Sequence, residues 1–252
     1  MSISLANVKT NTRSVPPICL IYGTHGVGKT SFAASAPDPI FIQTEDGLGL
    51  IEQPTFGLLK SFGDVMDGIG ALYGEEHPYK TVVIDSMDHL EPLVWAQVCK
   101  DNGWASIEAP GYGRGYTAAL DHWRLLLDGV RALRDERDMT VLMLAHSQIQ
   151  RYDSPDNEPY DRYIPKIHKG ASSLLQEVSD VVAFATYRVS TVKSDQGFGK
   201  KVTRAVGGGD RILQTEERPA YLAKQRFNLQ PTIPMLWEEF AKGIPYYNQK
   251  GN

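Results

Sequence analysis

The stretch "LIYGTHGVGKTSFAAS" (residues 20–35) decides the fold of this chain. Within it, Gly23-x-x-x-x-Gly28-Lys29-Thr30 has the spacing of a phosphate-binding loop. The apolar run "PICLIYG" (17–23) ends in the first glycine and reads as a buried strand. "KTSFAASA" (29–36) reads as a short helix stopped by "PDP". A strand before the loop and a helix after it are the context the pattern needs. The glycines let backbone N–H groups turn inward around phosphates, Lys29 adds a point charge, and the Thr30 hydroxyl can ligate Mg²⁺. The contact set expected of the loop is Gly23, Thr24, His25, Gly26, Val27, Gly28, Lys29, Thr30 and Ser31.

Outward from the loop, "IFIQ" (40–43), "KTVVID" (80–85) and "MTVLMLAHS" (139–147) read as further buried strands. Helices are expected over 61–74 and 86–103. Tyr116, Ala119, Leu120, Trp123, Leu126, Leu127, Val130 and Leu133 fall on one helical face. Alternating strands and helices imply an α/β fold with a mainly parallel sheet and right-handed crossovers. After residue 179 the pattern changes to β-rich runs broken by glycines: 179–192, 200–206, 210–217 and 219–227. These predict antiparallel strands added at the C-terminal edge. The expected organisation is a flexible tail (1–15), a core carrying the phosphate-binding loop (16–228) and a C-terminal helical extension of the same domain (229–252).

The length of 252 residues fits one large domain, and 42% apolar residues suffice for a full core. A net charge of −4 argues against coating nucleic acid by bulk charge but allows a local basic groove. Cys19 and Cys99 are too far apart in sequence for a metal knuckle or a redox pair, which fits a reduced, cytoplasmic chain. No signal-peptide pattern opens the sequence. No apolar run reaches the roughly 20 residues needed to span a bilayer, so no membrane partner is expected.

A phosphate-bound Mg²⁺ needs a carboxylate at the tip of a neighbouring strand, and "TVVIDS" offers Asp85, which could otherwise cap the next helix. Asp88 fits first-turn helix electrostatics. No NKxD segment for guanine and no Arg-rich lid is present. In "IFIQTEDGLGL", Glu45 lies just past the second strand, where a carboxylate can orient or deprotonate the water that attacks a γ-phosphate; Asp46 is the local competitor.

With these pieces the sequence resembles the RecA-like ATPases. "IQTEDG" looks like their strand-then-Glu element, which implies Glu45 as catalytic carboxylate. "LMLAHSQIQR" looks like their fourth strand ending in a polar-Gln pair, which implies Gln148 as γ-phosphate sensor, with His146 and Ser147 beside it. "AYLAKQRFNL" is similar to their Lys-x-Arg strand, which implies that Lys224 and Arg226 reach a neighbouring subunit's γ-phosphate in a homo-oligomer with shared active sites. "TVVIDSMDHL", "GYGRGY" and "LMLAHS" look most like the short phage-encoded RecA-like ATPases of recombination and single-strand annealing. The short polar tail departs from RecA's docking segment, leaving filament and ring both open.

Two long connections, 103–116 and 148–170, hold aromatic and basic residues suited to single-stranded DNA. The DNA candidates are Arg114, Arg162, Tyr163, Lys166 and Lys169. The expectation is therefore an ATPase using ATP and Mg²⁺ and coupled to single-stranded DNA, with a single-strand binding protein as a further candidate partner. A nucleotide-gated protein-interaction switch and a ring helicase-type motor are the alternatives.

Overall fold

The computed structural model describes residues 14–154, 158–188, 190–195, 201–206 and 208–248. Most of the expected tail lies outside these residues. The chain runs β1 (Ile18–Gly23), α1 (Lys29–Ala34), β2 (Pro39–Gln43), β3 (Thr55–Leu58), α2 (Phe62–Gly74), β4 (Thr81–Asp85), α3 (Met87–Asn102) and α4 (Arg114–Arg137). It continues through β5 (Thr140–Tyr152), β6 (Tyr160–Pro165), α5 (Lys169–Val178), β7 (Val181–Tyr187), β8 (Ser190–Asp195), β9 (Lys201–Val206) and β10 (Arg211–Gln214). It closes with β11 (Lys224–Gln225), β12 (Thr232–Pro234), α6 (Trp237–Lys242) and α7 (Pro245–Asn248).

The main sheet has the order β12-β10-β7-β1-β5-β4-β2-β3. The strands from β7 to β3 are parallel, while β10, β11 and β12 join antiparallel at the β7 side. The central strands are uniformly apolar because both sheet faces are covered. Strand alternation divides β1 between two cores. Ile18, Leu20 and Tyr22 pack under α2–α5, and Cys19 and Ile21 pack toward α1, α6 and α7. Trp123, fully buried in α4, anchors the larger core, and Phe240 of α6 anchors the smaller. Burying a side chain of that size stabilises by about 2–3 kcal/mol.

Three expectations change. First, the run 179–192 is not an antiparallel edge: β7 joins the parallel strands beside β1, while β8 pairs with β9 in a separate two-stranded sheet. Second, the connection over 148–170 is no open loop. β5 runs past the sheet and pairs with β6 in a hairpin, from Ser147↔Pro165 out to Tyr152↔Tyr160. Third, the segment after 229 is not wholly helical: β12 precedes its helices, and Ile233, Met235, Trp237 and Phe240 complete the smaller core. Among the described residues no helix is long and apolar enough to cross a membrane.

Candidate nucleotide site and adjoining groove

From β1 the chain crosses to β2 on one side of the sheet, while β7 lies on the other. A crevice therefore opens beyond the carboxyl end of β1. Residues 24–28 loop across it. Gly23 is pressed against β7, where a Cβ would stand 2.2 Å from the Ala185 carbonyl oxygen, and Gly28 has φ +97°. Both positions require glycine. Lys29 is 7% exposed and donates to the carbonyls of Gly23 (3.0 Å) and Thr24 (3.1 Å), which holds its ammonium inside the loop. The Thr30 hydroxyl donates to Asp85 Oδ2 at 2.8 Å.

Burial pulls the Lys29 ammonium below the usual lysine range, opposed by Asp85, Asp88 and Glu45. Burial raises the Asp85 carboxyl; the Thr30 bond and Lys29 oppose it. The cavity is about 310 Å³ and is also lined by Glu45, His146 and Arg211.

Glu45 stands where the sequence places it, at the carboxyl end of β2. Its Oε2 accepts from Ser86 Oγ (2.8 Å) and meets His89 Nδ1 at 2.9 Å. The neighbouring Asp46 does not line the cavity. His146 is buried, its ring stacked 3.8 Å from that of His25 in the loop. Asp88 does more than serve the helix dipole. It accepts from the His146 backbone N–H (2.9 Å) and bonds the ring Nδ1 (2.9 Å). Burial pushes the Asp88 carboxyl up, but the bonds to His146 outweigh it and bring the pKa down to about 2.

Gln148 is absent from this cavity. The β1–β5 register ends at Gly23↔His146, which puts His146 level with the loop, and Gln148 lies roughly 6–7 Å further out along the strand. The residue level with the loop is therefore His146, and Gln148 lines the adjoining groove instead.

Lys224 and Arg226 sit at the other end of the sheet. Lys224 pairs with Val182, near the start of β7, within a strand of only two residues. Its Nζ donates to the carbonyl of Gln176 and, at 3.4 Å, to that of Glu177. Arg226 donates to the Glu177 carbonyl (2.8 Å) and to Asp180 Oδ1 (3.1 Å). Unpaired carbonyls at the carboxyl end of α5 attract cations, and both side chains serve that end of their own chain.

The β5–β6 hairpin and α3, α4 and α5 enclose a groove of about 750 Å³ next to the nucleotide cavity. It brings together Arg162, Lys166 and Lys169 of the DNA candidates, along with Trp95 and a Tyr116–His168 ring stack at 4.4 Å. Arg162 lies over the Tyr152 ring (4.1 Å) and pairs with Glu217 (3.1 Å). Tyr163 does not present its ring to the groove. Alternation turns it inward to stack on Phe184 at 4.9 Å. Arg114 is not among the lining residues; it opens α4 beside the exposed Tyr112.

At the groove floor, Glu91 accepts the His168 N–H through both oxygens, at 2.9 and 3.1 Å. Burial raises its pKa to about 7 against the His168 bond, with Asp88 adding to the rise. A folded-state pKa above the unfolded value means that stability falls as pH rises from about 4.5 to about 7. Glu91→Gln keeps an acceptor for the N–H and removes this loss. Urea titrations should show the variant and the parent equal near pH 4.5, with the variant ahead by at most ~3 kcal/mol above pH 7. A constant gap across that range would contradict the assignment.

Sequence reasoning missed Arg211, the first residue of β10. Its Nη1 lies 2.7 Å from where a Gly28 Cβ would stand. "GGGDRILQ" reads only as a turn and a strand, and nothing local ties it to a loop so distant in sequence. The pairing Arg211↔Tyr187, two residues beyond Ala185↔Gly23, is what delivers it.

A parallel α/β sheet, a glycine loop gripping a buried lysine and a Thr–Asp pair beneath it define the P-loop nucleoside triphosphatase class. The family model described as "AAA domain" matches residues 16–227, and the chain belongs to that family, whose fold and site are those of a nucleotide-binding ATPase. No curated protein matches the chain.

Proposed function

We propose that the chain is a RecA-like ATPase that binds ATP with Mg²⁺ and couples its nucleotide state to single-stranded DNA in the adjoining groove. The observation that carries this reading is the shared wall. β5 brings His146 to the phosphate cavity and then continues into the hairpin that borders a groove with cations at its rim and aromatic rings within it.

The residues fit the bound group. Thr30 and Asp85 offer two oxygen donors at one point, the donor type that Mg²⁺ takes. When bound, the ion screens the charge of the phosphate oxygens. Backbone N–H groups of 26–30 and the Lys29 ammonium bind those oxygens. Glu45, oriented by Ser86 and His89, takes the proton of the attacking water. His146, held by Asp88, stands where it can bond the terminal phosphoryl group. Lys224 and Arg226 are left out of this chemistry because their own chain engages them.

Single strands lie along such grooves with phosphates on cations and bases on aromatic faces. Lys166 and Lys169 are exposed, so replacing both by alanine spares the fold. Fluorescence anisotropy with a labelled oligothymidylate should show weaker binding. The slope of log K against log salt should fall by about 1.4, with ATP binding unchanged. A parent chain that ignores DNA with and without ATP would favour the protein-interaction switch instead.

A further inference from the structure

Arg211 lines two cavities, and among the described residues it is the one residue they share. The first is the phosphate cradle. The second, about 650 Å³, opens where β7 ends, β10 begins and β12 ends. It lies at the same end of the sheet as the cradle, because Tyr187, paired with Arg211, stands two residues past the partner of Gly23. Ile212, Pro234, Met235 and Leu236 give it an apolar wall, and Arg188 and Asp210 add a cation and an acceptor. Leu236 is 58% exposed, so its apolar side chain is open to a molecule in this cavity. Arg211 itself is exposed, and its guanidinium has no hydrogen-bond or ion-pair partner among the described residues.

We infer that the second cavity seats the base and ribose of the nucleotide whose phosphates lie in the cradle, with Arg211 bridging the two through the phosphate oxygens. The apolar wall and the flat face of a guanidinium suit a heteroaromatic ring. The Asp210 carboxylate can accept from an exocyclic amino group. A planar cation forking toward Gly28 suits phosphate better than a lysine would. This assignment rests on the nucleotide-binding reading above. It makes the cation that faces the phosphates a residue of the same chain, where a shared site would have borrowed one.

The test uses the full chain, Mg²⁺, and two ligands in calorimetric titration: ATP and inorganic tripolyphosphate. Arg211→Ala removes no hydrogen bond or ion pair made by that side chain among the described residues and should weaken both ligands by roughly ten- to hundredfold. Leu236 is the N-cap residue of α6, a position that favours asparagine, so Leu236→Asn keeps the helix start. It should weaken ATP by about tenfold and leave tripolyphosphate unchanged. If Arg211→Ala binds both ligands like the parent, or Leu236→Asn binds ATP like the parent, while Lys29→Ala loses both, the cradle stands and this inference falls. If Lys29→Ala keeps both ligands, the cradle reading fails as well.

Discussion

Lys29→Ala should abolish ATP turnover, lowering kcat/KM by roughly 10³ or more, with the fold retained. The ammonium sits inside the loop, 7% exposed and already aimed by two carbonyls. It therefore arrives at the phosphates with little conformational entropy left to lose. Alanine removes the phosphate contact and, with it, two bonds to backbone carbonyls worth roughly 1–3 kcal/mol each, so turnover should be lost and stability should fall modestly. Phosphate release assays measure the first, and thermal melts monitored by circular dichroism the second. Near-parental turnover would show that the cavity is not where hydrolysis occurs.

Glu45→Gln should separate binding from chemistry. The amide oxygen still accepts from Ser86, so the side chain keeps its place, yet an amide cannot take a proton from water. Hydrolysis should fall by roughly 10²–10⁴ with ATP affinity within a few-fold of the parent. Single-turnover rates and equilibrium binding with the same labelled ATP check both halves. Parental hydrolysis by the variant would transfer the water-positioning role to another group, with His146, its Nδ1 3.9 Å from Glu45, the candidate that also lines the cavity.

Much of this site is legible in the residue order because its parts are local. The loop spacing, the apolar strand before it, and Asp85 and Glu45 at strand tips each lie within a few residues of the element that positions them. What is illegible depends on register. Gln148 and His146 differ by two positions on one strand, and only the pairing with Gly23 shows which of them is level with the loop. The inward turn of Tyr163 depends on a hairpin whose second strand reads as a polar connection. Lys224 and Arg226 alternate as a reaching pair would, but the carbonyls they meet belong to a helix about 50 residues earlier. Arg211 is the extreme case, since two strand pairings set its position and no local pattern does.

The first turn of α3 has a wider consequence. Asp88 and Glu91 stand one turn apart at the start of this helix, and each fastens a backbone N–H, that of His146 at the rim of the phosphate pocket and that of His168 in the adjoining groove. Both chambers therefore rest on a single footing of about six ångströms, the spacing of neighbours on one helical face. Sequence drift there cannot retune one chamber alone, and a descendant that reshapes the phosphate pocket through this turn must re-fit the adjoining groove in the same step.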